Sequence, residues 1–344
     1  MLLRAVMIGP QKIQLEDVPL RKLEPDEVLV KVRACGICTW EQRFYQGVEG
    51  AYPFLGGHEI AGEVVEVGPR VAQRLAPGQK VAVASLIRCG ECYFCRRGQD
   101  HMCANAGEKS NPGNYWGPAG FAEYLIAKGY EVYPLAQNVD LVHATLSEPL
   151  ACVVRSIGRG NLRPGDTVVV LGAGVMGLLH LKLAQIRGAR VIVSEPDPSR
   201  REKALQLGAI AAVNPFKEDL ASVVKELTCG RGAEAVFFTA GGAPALKEGL
   251  RLLVKGGTLV VYGSLHPAVP LEIDPNDFHY SEFTLTGSIR HDKESFRQAT
   301  ALLSGGLIEV GDLVSARVPF PDMETAFKLA MAPDTYRVVL TFPD

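Results

Sequence analysis

The sequence predicts an α/β protein of two domains, one strand-rich and one a doubly wound parallel sheet with helices on both faces. Three observations predict it. At 344 residues the chain exceeds the length at which single hydrophobic cores stop growing. The N-terminal part reads as short Val- and Ala-rich runs broken by Pro25-Asp26, Gly68-Pro69 and Pro77-Gly78 turns, whereas from Gly165 onward strand-like and helix-like runs alternate. The stretch from Pro333 to Phe342 then returns to strand character, so the chain is expected to end back in the first domain.

In the first part, strands are expected over Val28 to Ala34, Ile60 to Gly68 and around Lys80 to Ser85, where β-branched residues sit between turn residues. In the second part, strands over Thr167 to Leu171, Arg190 to Ser194, Ala209 to Val213, Ala233 to Thr239 and Thr258 to Tyr262 alternate with helices over Val175 to Arg187, Pro198 to Leu207, Lys217 to Thr228 and Pro244 to Leu253. Parallel strands need crossovers of this kind, which places the helices on the sheet's faces. No internal repeat, low-complexity tract or heptad run interrupts the pattern.

Composition excludes several function classes. A hydrophobic fraction of 47% and a charged fraction of 22% suit an ordinary globular chain. A formal net charge of -2 offers no global attraction to a phosphate backbone or an anionic lipid surface, so neither nucleic acid nor membrane is an expected partner. The first fourteen residues lack the pattern of an export signal, and no run of eighteen apolar residues occurs. The chain therefore reads as cytoplasmic, with its eight cysteines reduced.

Half of those cysteines crowd into one polar segment: Cys89, Cys92, Cys95 and Cys103, spaced Cys-x2-Cys-x2-Cys-x7-Cys. Four thiolates at this spacing fill the tetrahedral shell of a structural Zn2+ and leave no seat for a reactant. The intervening residues are too polar to order themselves by burial, so the metal is expected to order the loop. An iron–sulfur cluster is the sharpest rival for these ligands.

Thr167 to Leu171 leads into Gly172-Ala-Gly174-Val175-Met176-Gly177 and an apolar helix, with Glu195 closing the next strand. Gly172 turns the chain, Gly174 lets backbone amides approach a pyrophosphate at the helix N-terminus, and Gly177 lets helix and strand pack closely. The Glu195 carboxylate suits the two hydroxyls of an adenosine ribose and repels a 2′-phosphate, which favours NAD. Arg200 and Arg201 follow closely enough to keep NADP open.

Cys35-Gly-Ile-Cys38 and Gly57-His58-Glu59-Ile-Ala-Gly62 carry further ligand types, dispersed in sequence as the ligands of open catalytic metal sites usually are. The order Gly36-Ile-Cys38, Gly57-His-Glu-x-x-Gly62 with Gly68, the four-cysteine segment, Gly120-Phe-Ala-Glu-Tyr124, Glu148-Pro-Leu150 and the glycine fingerprint spans nearly the whole chain. In this it resembles the zinc-containing medium-chain dehydrogenase/reductase family, nearest its polyol (sorbitol) and threonine dehydrogenase branches. The resemblance implies a GroES-like β-barrel catalytic domain of residues 1–148 and 290–344 and a Rossmann domain of residues 149–289. It implies a catalytic zinc bound by Cys38, His58 and, in alternating or water-mediated roles, Glu59 and Glu148, hence two Zn2+ per chain. It further implies backbone contacts to the nicotinamide near Gly263, Ser288 and Ile289, a small-molecule alcohol or ketone substrate, and a dimer or tetramer.

The implied reaction is hydride transfer between a secondary alcohol and NAD, giving a ketone. The substrate is expected to be a polyol, sugar or cyclitol, with threonine or another amino alcohol as the alternative, and a carrier or regulator that binds NAD and zinc without turnover as the distant one. Cys35, Cys152 and Cys229 are expected to be buried thiols. His101, His143, His180, His266, His279 and His291 have no ligand spacing and are expected to be structural or surface histidines. The sequence departs from the family after the ligand cysteine. Where relatives carry a proton-relaying hydroxyl and often a histidine, Cys38-Thr39-Trp40-Glu41-Gln42-Arg43 places Trp40 and Arg43. Indole only donates and guanidinium stays charged, so the proton must leave through Thr39, Glu41, Glu59 or Glu148, and Trp40 is free to wall the substrate pocket.

Overall fold

A computed structural model describes residues 1–86, 88–106, 115–265 and 267–343; His266 lies outside them. The chain divides into two compact units, Met1–Ala151 with Asp292–Asp344, and Cys152–His291. Strands run in chain order as β1 (Leu2–Gly9), β2 (Lys12–Val18), β3 (Glu27–Gly36), β4 (Glu59–Val67), β5 (Lys80–Ala84), β6 (Tyr124–Lys128) and β7 (Val132–Pro134) in the first unit. The second unit holds β8 (Thr167–Leu171), β9 (Arg190–Ser194), β10 (Ala211–Val213), β11 (Ala233–Phe238), β12 (Leu253–Val261) and β13 (Thr284–Gly287). The chain returns to the first unit for β14 (Val314–Pro319) and β15 (Arg337–Thr341).

In the first unit the sheet order is β14-β15-β3-β4-β5-β7 with β6 also on β3, and β1 and β2 form a separate antiparallel pair. The pairing is antiparallel apart from β14 with β15. Alternate apolar positions such as Val30, Val32, Ile60, Val81 and Val83 meet Phe54, Phe121 and Phe327 in one core. The register sets Cys35 opposite Ile60 and Gly36 opposite Glu59. On the other side of β3, Val339 and Leu340 of β15 face Gly36 and Cys35. Three distant segments thus converge at the end of β3.

The second unit is a parallel six-stranded sheet in the order β10-β9-β8-β11-β12-β13. Strand β8 is Thr-Val-Val-Val-Leu and buried throughout, as a central parallel strand with both faces covered requires. β8 and β9 occupy the expected residues, but other ends differ. The helix expected from Lys217 begins at Leu220, because the Asp219 side chain accepts from Ala221 N–H and caps it there. Strand β12 begins at Leu253, five residues before the expected Thr258, since Ala233 pairs with Leu253 before the register shifts. No helix among the described residues is long and apolar enough to cross a membrane.

Candidate active site and metal centres

Cys38 is the N-cap of helix α1 (Thr39–Gln46), and Glu41 is that helix's third residue. Glu41 accepts from the Cys38 backbone N–H at 3.1 Å, closing a capping box that fixes how the chain leaves β3. Its other oxygen accepts from Gly57 N–H at 3.1 Å and lies 2.6 Å from His58 Nδ1. One fully buried carboxylate therefore ties Cys38 to the Gly57-His58 turn. If Nδ1 carries the proton given to Glu41, Nε2 keeps its lone pair for a ligand.

One ligand atom each from Cys38, Glu41 and His58 lies within 4.8 Å of the others, and the same holds for His58, Glu59 and Glu148. Glu148 is in the first turn of helix α2 (Ser147–Arg159), with Oε2 3.9 Å from His58 Nε2. Glu59 is sealed, and its carboxylate fits only because its neighbour is glycine: a Cβ on Gly36 would stand 2.2 Å from Glu59 Oε2. Arg337 Nη2 approaches Glu59 Oε1 at 2.8 Å while Nη1 donates to Ile37 C=O. Yet neither Glu59 oxygen has a hydrogen bond among the described residues, the Arg337 contact being an ion pair.

The electrostatics favour a bound cation. Burial pushes the His58 imidazole towards the neutral form, but Glu41, hydrogen bonds to Cys38 and Glu41, and Glu148 outweigh it and raise the pKa well above the usual histidine range. Burial raises Glu59 to about 7, against the lowering effect of Arg337 and His58. Ionised thiolate and carboxylate groups gathered around one imidazole repel one another, and a divalent metal relieves that repulsion. The residues fit a catalytic Zn2+ with three protein ligands and an open position.

The four sulfurs of Cys89, Cys92, Cys95 and Cys103 also lie within 4.8 Å of one another. Cys89 N–H points to Cys103 Sγ at 3.4 Å and Cys92 N–H to Cys89 Sγ at 3.3 Å, so backbone amides already face the sulfurs as they would face thiolates. Backbone N–H groups of Ala104 and Cys95 lower the Cys92 thiol to about 6. This donor set fits a closed tetrahedral zinc. Among the remaining cysteines Cys35 and Cys152 are buried, but Cys229 is exposed, contrary to expectation. It occupies a left-handed turn (φ 53°) after the helix Leu220–Leu227, where the side chain faces solvent.

In the second unit, helix α3 (Val175–Ile186) starts directly after Gly174, with Val175 and Met176 in its first turn. A Cβ on Gly177 would sit 2.0 Å from Gly172 C=O, so helix and turn are in contact. A Cβ on Gly174 would meet only Arg200 Nη1, at 3.4 Å, which leaves backbone open in front of the helix with a guanidinium beside it. Glu195 Oε2 accepts from Ala173 N–H at 2.8 Å and Oε1 from Asp197 N–H at 3.0 Å. Arg201 is committed to the carbonyls of Glu195 and Pro196, so Arg200 is the arginine brought to the glycine turn. Gly263 follows β12 and Ser288 follows β13, the latter donating to Val261 C=O; Ile289 is exposed. These residues all border the C-terminal ends of the parallel strands, where doubly wound sheets bind nucleotides.

Sequence reasoning offered Glu41 only as a proton conduit and missed its role as the joint between Cys38 and His58; the Cys-x-x-Glu capping spacing was the available signal. Arg337 left none, since nothing local marks a residue that acts three hundred positions away.

Residues 24–137 match the alcohol dehydrogenase GroES-like domain and residues 175–305 the zinc-binding dehydrogenase family model. The chain is 35% identical over 338 residues to the L-threonine 3-dehydrogenase of Pyrococcus horikoshii, covering 95% of this chain and 94% of the relative. It is 34% identical over 307 residues to the 2-dehydro-3-deoxy-L-galactonate 5-dehydrogenase of Pseudoalteromonas atlantica, covering 88% and 87%. A crystal structure from Sinorhizobium meliloti 1021, assigned as a zinc-binding dehydrogenase and bound to NADP, superposes with a TM-score of 0.90 at 30% identity over 99% of both chains. The chain belongs to the zinc-dependent medium-chain dehydrogenase/reductase family. It is accordingly an enzyme of the zinc alcohol dehydrogenase type, with the α/β architecture of a GroES-like domain and a Rossmann-like parallel sheet.

Proposed function

We propose that the enzyme oxidises a secondary alcohol of a polyol, sugar or cyclitol to the ketone with NAD, acting as a cytoplasmic homo-oligomer. The observation that carries this reading is that two groups of ligand atoms, Cys38 with Glu41 and His58, and His58 with Glu59 and Glu148, meet at His58 beside an aromatic wall where relatives place a hydroxyl. Zn2+ held by Cys38, His58 and Glu148, with Glu59 in reserve, would polarise the carbinol oxygen, and NAD would accept the hydride. Glu41 orients His58. Glu148 accepts the proton that the alcohol loses, and Glu195 with the Gly172–Gly177 turn seats the dinucleotide.

Trp40 supports the choice of substrate. Its ring centroid stands 5.6 Å from His58 and 6.2 Å from Trp116, and it packs edgewise on Phe44 and Phe54. Phe54 is fully buried, while Trp40 is only half-buried. An aromatic surface flanking the histidine suits the C–H face of a polyhydroxylated carbon chain or ring better than the charged groups of an amino acid. Arg43, in the other relay position, turns to Glu49 at 3.4 Å.

The similarity to threonine dehydrogenases supports the second reading, an amino alcohol. Incubating the protein with NAD and panels of polyols, cyclitols and amino alcohols, while following nicotinamide absorbance, separates the two. Turnover confined to threonine would overturn the first. Trp40→Ser is expected to raise turnover of 2-propanol about tenfold, the scale on which pocket shape discriminates; an unchanged rate would reduce Trp40 to packing.

Glu195→Ala is expected to weaken NAD binding about tenfold and to narrow the preference over NADP, because charge-assisted hydrogen bonds to the ribose are lost and repulsion of a 2′-phosphate is removed. Calorimetric titration with both cofactors checks this. Tighter binding of NADP by the unaltered protein would refute the NAD assignment and give Arg200 the deciding role.

A further inference from the structure

His180 lies one turn beyond the glycine fingerprint on α3 and is fully buried. Its Nδ1 is 2.7 Å from the Met176 carbonyl, and its Nε2 is 2.8 Å from Ser156 Oγ on α2. A carbonyl can only accept, so Nδ1 carries the proton and Nε2 accepts from the Ser156 hydroxyl. The ring also packs against Phe237 of β11, with centroids 5.1 Å apart, and against Tyr262, the residue after β12, at 4.9 Å. Burial lowers the imidazole to about 4, so this arrangement persists at neutral pH.

Each of these contacts reaches a segment that borders the nucleotide site. Met176 is in the first turn of α3, the turn that Gly177 presses against Gly172. Phe237 is followed by Phe238, whose carbonyl accepts from the backbone N–H groups of both Tyr262 and Gly263. Arg155, the neighbour of Ser156, donates from Nη1 to Ser288 Oγ and Ile289 C=O, each at 3.2 Å. An apolar residue would fill the position of His180 equally well if packing were its sole task. The two directed hydrogen bonds fix the rotation of α3 about its axis relative to α2, which packing alone leaves loosely specified.

We propose that His180, held between Met176 and Ser156, is a positioning residue for the dinucleotide, setting the glycine turn and the Gly263 segment in register with each other. The inference rests on the assignment of the nicotinamide cofactor under the proposed function. It concerns cofactor affinity and not the proton or hydride steps, which no atom of His180 touches.

The test is direct titration of the full-length protein with NADH and, separately, NADPH, read by calorimetry, together with thermal melting without cofactor. His180→Phe keeps ring and volume but removes both hydrogen bonds; Ser156→Ala removes one; His180→Gln can still accept from Ser156. NADH affinity is expected to fall about tenfold in His180→Phe and about threefold in Ser156→Ala, with partial recovery in His180→Gln. The KM for NAD is expected to rise in parallel while kcat at saturating NAD stays within about twofold of the unaltered enzyme. Variants that melt earlier yet bind NADH with unchanged affinity would show a purely structural histidine and overturn the proposal. Should His180→Phe fail to fold, Ser156→Ala decides alone: unchanged affinity there overturns it. If the unaltered protein binds neither cofactor, the cofactor assignment fails and this inference fails with it.

Discussion

Glu148→Gln is expected to cut the oxidation of secondary alcohols by about a hundredfold or more, the scale of a lost general base, while preserving the fold and some metal binding. With the Glu41 carboxylate held by Cys38, Gly57 and His58, two further carboxylates near His58 are candidates to take the proton, and their surroundings separate them. The Glu59 side chain is 0% exposed and faces Arg337 at 2.8 Å, whereas Glu148 retains 14% side-chain exposure at 3.9 Å from His58 Nε2. A base must pass its proton on towards solvent, and of these two carboxylates Glu148 is the one with solvent exposure. Trp40 cannot accept a proton, and Arg43 is turned to Glu49. Near wild-type turnover with zinc still bound would show that the proton leaves by Thr39 or a chain of water, and a companion Glu59→Gln variant would then tell whether Glu59 takes part at all.

Cys92→Ala is expected to have the largest effect on structure. The segment from Arg88 to Ala106 contains little regular structure beyond Tyr93–Arg96 and one 3-10 turn, and most of its side chains are not buried. In small zinc modules the metal supplies on the order of 10 kcal/mol of folding free energy, so a segment this poor in core should lose its order when one thiolate is removed. Elemental analysis of protein purified without added metal should give about two zinc equivalents per chain, falling to about one in Cys92→Ala and, independently, in Cys38→Ala. Proteolysis near Arg96 and Arg97 should accelerate in the Cys92 variant alone. A single zinc that survives Cys38→Ala and vanishes with Cys92→Ala, in protein whose catalytic site has not been stripped during purification, would remove the catalytic metal from the scheme.

The parts of this architecture that could be read from the sequence are those whose cause is local. β8 and β9 fall on the expected residues because an apolar run between turns permits little else. Helix ends were less legible, since Asp219 competes with the residues before it for the cap, and only the structure decides. In the site, motif marks Cys38, His58 and Glu148, and His58 is shared by two groups, one with Cys38 and Glu41 and one with Glu59 and Glu148, whereas the approach of Arg337 to Glu59 is a tertiary event between strands far apart in sequence. The joint made by Glu41 lies between these extremes: its spacing from Cys38 is local, but its bonds to Gly57 and His58 depend on how β4 pairs with β3.

The return of the last segment to the first unit also imposes an order on biosynthesis. Residues Cys152–His291 leave the ribosome as one uninterrupted stretch and can fold as soon as they emerge, while the first unit cannot close until β15 pairs with β3. Until then the edge of β3 at Cys35 and Gly36 is unpaired, and the buried Glu59 carboxylate lacks the Arg337 that faces it. At about 5–20 residues per second the interval between synthesis of β3 and of β15 lasts tens of seconds. During that interval the half-built metal site is a place where chaperones, premature metals or a second nascent chain can act.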